Sequence, residues 1–162
     1  MRVDNRVLES EAMETIEEVR AYDQLTRKYL RILHNGFVET LLNKGSKTGN
    51  FLEVGSGSGH ISIGVARYND QARITGIGLS ANMIQVATEN SEQAGVSDRI
   101  CFQYGSATEI PFEDNSFDTV YCHNMLHHIP EPYGMIKEMK RVLKPGGGFF
   151  VRDLIRVPEM LI

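Results

Sequence analysis

The 162-residue chain has no tryptophan, two cysteines, five prolines and no surplus of positive charge. Each scarcity removes a class of protein. Two cysteines cannot build a disulfide framework. Cys101 and Cys122 both fall in strand-like runs without CxxC or Cys/His spacing, so they read as buried reduced thiols and imply no metal. Seventeen Lys and Arg against twenty-one Asp and Glu give a net charge of −4. That balance argues against nucleic acid or an anionic membrane surface as the main partner, because phosphate binding needs a basic face. No apolar run approaches the ~20 residues that span a bilayer, so no membrane span is expected. The opening "MRVDNRVLES" lacks the apolar core of a signal peptide, which makes a cytoplasmic protein the expectation. Repeats and low-complexity tracts are absent as well. What remains, 41% hydrophobic and 23% charged residues, is the composition of one ordered globular domain.

The chain changes pattern once. Up to Gly45 the stretch "ESEAMETIEEVRAYDQLTRKYLRILHNGFVETLLNKG" is acidic and helix-favouring, with Leu30, Leu33, Phe37, Leu41 and Leu42 at helical spacing, and predicts one or two helices. After the turn "KTGN", short β-branched or aromatic runs alternate with helix-length segments. Strands are expected at Asn50–Val54, Arg73–Ile77, Ile100–Gln103, Phe117–His123 and Gly148–Leu154. Helices are expected at Gly59–Arg67, Ala81–Ala94 and Tyr133–Val142, the second with Ser80 as N-cap and Gly95 as C-cap. Alternation of this kind predicts an α/β fold, a doubly wound and mostly parallel sheet, with ligands outside the carboxyl ends of the strands.

The first such end is "FLEVGSGSGH". Gly55, Gly57 and Gly59 let the backbone turn tightly and approach a ligand. A dinucleotide fingerprint in this register needs glycine at position 60, where His60 stands, and no Gly-Lys-Ser/Thr follows to make a P-loop. Phosphate is therefore disfavoured. Glu53, two residues before the first glycine, suits a ligand with an ammonium or sulfonium centre. A tight turn without a ligand is the plainer alternative.

With its surroundings this loop resembles motif I of the class I, Rossmann-like S-adenosylmethionine-dependent methyltransferases. "SATEIPFEDNSFDTVYCHNMLHHIPEP" is similar to that family's stretch from the adenine-contacting loop through the fourth strand, and "MIKEMKRVLKPGGGFFVRDL" to its last helix, turn and fifth strand. The closest flavour is the small-molecule group of the ubiquinone and menaquinone biosynthesis enzymes. The resemblance implies strand order 3-2-1-4-5, an N-terminal helical segment or lid over residues 1–36 and a Rossmann-like methyltransferase domain over residues 37–162. It also implies S-adenosylmethionine as cofactor, S-adenosylhomocysteine as product and a small-molecule acceptor. Cofactor contacts would fall on Glu53, Gly55, Ser56, Gly57 and Gly59, on Gly78, Leu79, Ser80 and Met83, on Ser106 and Ala107, and near Cys122 and His123. Two positions depart from the family pattern. Gly78 stands where an acid usually grips the ribose hydroxyls, and Ser106 where aspartate often reads the adenine amine. Each departure removes a charged hydrogen bond worth roughly 1.5–3 kcal/mol.

For chemistry, the resemblance offers His123, His127 and His128 of "HNMLHH" as bases toward a hydroxyl or amine acceptor, with packing and capping as their alternative role. Tyr22 and Asp23 of "RAYDQL" fall where a lid helix would close, or lie on a solvated face. The family's C-terminal antiparallel hairpin would follow "VPEMLI", so the expectation is a fold without it, with a fragment or truncated product as the alternative. The fifth strand is then expected to expose an edge that a second copy would cover, making a homodimer. Two other readings compete: a catalytically degenerate binding or regulatory protein, and a nicotinamide-dependent oxidoreductase, which the glycine register ranks last.

Overall fold

Thr15 starts the first helix through a capping box: its hydroxyl accepts from Glu18 N at 3.2 Å while the Glu18 carboxylate accepts from Thr15 N at 3.1 Å. In the computed structural model, which describes Met13 and residues 15–153, helix α1 runs Ile16–Tyr29 and α2 runs Arg31–Lys44, separated at Leu30, whose ψ near 0° breaks the path. The boundary expected at residues 36/37 therefore falls inside α2, which is continuous and buries Phe37, Val38 and Leu41. Gly45 ends that helix, as the sequence indicates. Of the apolar residues at helical spacing, Leu33 is exposed instead, on the outer side of α2.

Five strands follow: β1 Gly49–Val54, β2 Ala72–Gly78, β3 Ile100–Tyr104, β4 Phe117–His123 and β5 Leu143–Arg152. They form one all-parallel sheet in the order β3-β2-β1-β4-β5, the doubly wound α/β arrangement that alternation predicts. Helices α3 (His60–Tyr68), α4 (Ala81–Gln93) and α5 (Pro132–Val142) occupy the crossovers. Ser80 caps α4, its hydroxyl accepting from Met83 N at 3.2 Å, and Gly95 follows Ala94 in the left-handed region at φ 70°.

Alternation along β1 explains the layers. Phe51 joins Phe37, Leu41, Ile61, Val65, Ile74 and Tyr121 in the core under α2 and α3. Leu52 and Val54 face the other way and pack with Val120, Cys122, Met135, Met139 and Val142 under α5. A strand buried on both faces reads as the continuous apolar run seen here.

Two expectations need correction. Strand β5 begins at Leu143 rather than Gly148, because Leu143 already pairs with Phe117 before the "KPGG" turn, with Gly146 at φ 77°, shifts the register. Cys101 is an exposed thiol, and only Cys122 is buried. Strand β3 is the sheet edge, and the β3–β4 connection contains no helix to cover the face that Cys101 occupies. The expected strand end at Leu154 and the acidic residues Glu11 and Glu14 lie outside the described residues.

Candidate functional site

A cavity of about 420 Å³ opens at the carboxyl ends of β1, β2 and β4, where a doubly wound sheet places ligands. Its floor is the loop between β1 and α3. The amides of Gly55 and Ser56 both donate to Ile77 O, at 2.9 and 3.0 Å, which hangs the loop on the end of β2. Gly57 sits at φ 50° and a Cβ there would meet nothing within 4 Å, so the backbone is bare toward the cavity. Gly59 differs. A Cβ there would lie 2.6 Å from Phe102 Cζ, so this glycine seats α3 against β3 and does not line the cavity. Two cavity-lining hydroxyls, Ser56 Oγ and Thr26 Oγ1, are buried without a hydrogen-bond partner. Buried polar groups usually find a partner, so both hydroxyls are available to whatever enters the cavity.

Glu53 is almost fully buried behind the loop. Its carboxylate accepts from Ser62 N at 3.2 Å and from Ser62 Oγ, which in turn lies 3.1 Å from the Tyr121 hydroxyl. Burial outweighs these bonds and pushes its pKa up to about 8. The side chain that sequence suggests as a counter-charge thus favours its protonated, neutral form near pH 7.

Above the loop, α1 and α2 supply a wall. Tyr22, Thr26, Leu30 and His34 recur every four residues and all line the cavity. The His34 ring stacks on His60 at 5.7 Å and meets His123 edge-on at 5.3 Å. Burial, neighbouring histidine and Arg152 press the pKa of His34 and of His123 down to about 4. His123 is therefore held as a neutral imidazole near pH 7.

His127 has a different setting. It lies on the 3₁₀ turn Leu126–His128 beyond β4, with Nδ1 2.6 Å from Asp153 Oδ1. Asp153 Oδ2 also accepts from Leu126 N at 2.5 Å and His127 N at 3.3 Å, so one carboxylate caps the turn and orients the ring. A carboxylate on Nδ1 fixes the proton there and leaves Nε2 as the accepting atom.

Of the residues singled out from sequence, Glu53, Gly55, Ser56, Gly57, Gly78, Leu79, Ser80, Met83, Ala107, His123, His127, His128 and Tyr22 line this one cavity. Three do not. Gly59 is packed as described. Cys122 turns its side chain into the core under α5. Ser106 engages Thr108, with Oγ 3.0 Å from Thr108 Oγ1 and 3.3 Å from Thr108 N. Sequence reasoning missed Thr26, His34, His60 and Asn124. His34 was visible as the one polar residue on the stripe of Leu30, Phe37 and Leu41. Asn124 adopts φ 53° and carries no signal in a single sequence. Among the described residues no group of three or more His, Cys, Asp and Glu is placed to hold a metal ion, and no helix is long and apolar enough to cross a membrane.

Comparison with known proteins agrees with this fold. The family described as "Methyltransferase domain" matches residues 45–161. The chain is 38% identical over 108 residues to the 27-O-demethylrifamycin SV methyltransferase of Amycolatopsis mediterranei (strain S699), covering 67% of this chain and 39% of that protein. It is 37% identical over 108 residues to the ubiquinone biosynthesis O-methyltransferase of Xanthomonas euvesicatoria pv. vesicatoria (strain 85-10), covering 66% and 44%. A solved structure from Methanococcus maripaludis superimposes with a TM-score of 0.79 at 24% identity, covering 88% of this chain and 66% of that one, and shares the fold. The chain spans about two fifths of the length of the curated relatives it matches. From residue 45 to residue 161, sheet and glycine loop included, this chain belongs to the methyltransferase domain family.

Proposed function

We propose that the protein is an S-adenosylmethionine-dependent methyltransferase acting on a hydroxyl-bearing small molecule. The observation that carries this reading is the cavity itself. Bare backbone at Gly57, open space at Gly78 and the unpartnered hydroxyls of Ser56 and Thr26 make a shape and a set of polar groups that fit the cofactor. When bound, S-adenosylmethionine supplies a methyl group on a sulfonium sulfur. Gly55, Ser56 and Gly57 would hold its methionine part, with Gly78, Leu79, Ser80 and Met83 around ribose and adenine and Ala107 on the far side of the base. Glu53, ionised in the presence of a cation, adds a buried negative charge behind the loop.

The chain's own contribution to chemistry is alignment, exclusion of water and removal of one proton. His127, oriented by Asp153, accepts the acceptor's hydroxyl proton at Nε2, while Tyr22 and His34 close the cavity from above. Relatives of this chain include both O- and C-methyltransferases by name, so oxygen as the acceptor atom rests on the His127–Asp153 pair. Incubation with cofactor and a panel of phenolic, enolic and alcoholic small molecules, followed by S-adenosylhomocysteine release, tests the reading. Release is expected with at least one member, and His127→Asn should lower kcat roughly 10²–10⁴-fold without changing cofactor affinity. Turnover with no member, or an unchanged kcat in the variant, contradicts it.

Three further parts belong to the proposal. Residues 1–36 act as a lid whose moving part is α1, over a methyltransferase domain of residues 37–162. The protein pairs as a homodimer through β5, whose outer edge is unpaired among the described residues. It works in the cytoplasm, in keeping with the free thiols of Cys101 and Cys122.

A further inference from the structure

Asp23 is a buried carboxylate on α1 to which the proposed chemistry gives no part. Its Oδ2 accepts from Arg27 Nε at 2.9 Å, and its Oδ1 accepts from Asn90 Nδ2 at 3.1 Å. His60 Nε2 approaches Oδ1 to 2.7 Å. Asn90 is itself a bridge: its Nδ2 also donates to Ser58 O at 2.9 Å, and its Oδ1 accepts from Arg27 Nη2. One carboxylate thereby gathers α1, α4, the first turn of α3 and the glycine loop between Gly57 and Gly59. Ser58, Asn90 and Asp23 are each at least nine-tenths buried, and in such a network the loss of one member leaves the others unsatisfied.

Placement gives this network a consequence for the cavity. Tyr22 and Thr26 flank Asp23 on the same helix and line the cavity, so docking α1 through Asp23 brings the unpartnered Thr26 hydroxyl to the ligand's side. We infer that Asp23 is a positioning residue for cofactor binding, a latch that fixes the glycine loop to α1 and makes the loop's ligand-ready shape depend on a docked lid. This rests on the cofactor reading above, and goes beyond it by naming what couples lid and loop.

The charge environment supplies a spectroscopic readout. His60 is faced by Asp23 and Arg27 from α1 and by His34 from α2. Burial depresses its pKa, and Asp23 is the group that raises it. Asp23→Asn keeps the shape and removes the charge. In that variant we expect faster amide hydrogen exchange at residues 55–59, S-adenosylhomocysteine affinity weaker by roughly ten-fold, and a His60 imidazole titration by NMR displaced to lower pH. The His60 displacement reports that the pair is formed, whereas exchange that quickens at residues 55–59 and not across the sheet is what a residue that only stabilised the fold would not produce. Asn90→Ala, which cuts the bridge to Ser58 and leaves His60 facing Asp23, should loosen the loop and weaken binding with the His60 titration in place. It decides the matter if Asp23→Asn fails to fold. Unchanged loop exchange in both variants overturns the latch. Wild-type protein that binds no S-adenosylhomocysteine overturns the cofactor reading instead, while the exchange comparison still judges the latch.

Discussion

Gly78 ends β2 with no atom within 4 Å of where a Cβ would stand, so the position usually held by a ribose-binding acid is open rather than filled. Its φ lies outside the left-handed region, and a side chain there is unstrained. Gly78→Asp should therefore tighten S-adenosylmethionine binding roughly ten-fold, the worth of one charged hydrogen bond. Calorimetry checks this, and unchanged affinity would remove the ribose from this end of the cavity. Glu53 makes a second prediction. The folded state keeps its proton to about pH 8, whereas the unfolded chain releases it near 4.5. Between those values the folded state binds more protons, so this group's contribution to stability falls as pH rises, by at most about 1.4 kcal/mol per unit. Below 4.5 both states hold the proton and the slope vanishes. Glu53→Gln removes the effect. His34 and His123, depressed to about 4, act in the opposite direction in both proteins, so the difference between wild type and variant isolates Glu53. Urea denaturation from pH 5 to 8 should show the variant gaining on wild type with rising pH, and parallel curves would contradict the buried neutral acid.

Elements were legible in the sequence where local chemistry decides them. The β-branched runs at Phe117–His123, the Ser80 cap and the Gly45 stop all fall where sequence puts them, because strand alternation and capping need only nearby residues. Misjudged features depend on neighbours distant in the chain. Cys101 looked buried because its run is apolar, and is exposed because β3 is an edge. Leu143 looked like turn and pairs with Phe117. The site divides in the same way: the glycine loop announces itself within ten residues, whereas Thr26 and His34 join it only through the docking of α1 and α2. At this scale belongs the outer edge of β5, unpaired among the described residues. Phe149, Phe150 and Val151 lie along the strand, and a second copy pairing there would continue the sheet from one copy into the other. Light scattering at micromolar concentration should return the dimer mass. A monodisperse monomer would contradict pairing through β5.

The described residues form a two-faced sheet with a ligand-sized cavity at its carboxyl end, walled by N-terminal helices that a buried carboxylate ties to the glycine loop. The chain's acidic balance and its cavity suit the proposed small-molecule acceptor. Membership of the methyltransferase domain family places the chain among methyl-transferring relatives, and its own departures at Gly78 and Ser106 make cofactor affinity the quantity on which the account turns. The decisive measurement is a calorimetric titration of the purified protein with S-adenosylmethionine and S-adenosylhomocysteine. The account predicts micromolar binding of both, one per chain, with proton release near neutral pH as Glu53 ionises. An absence of heat and of competition at millimolar ligand would contradict it.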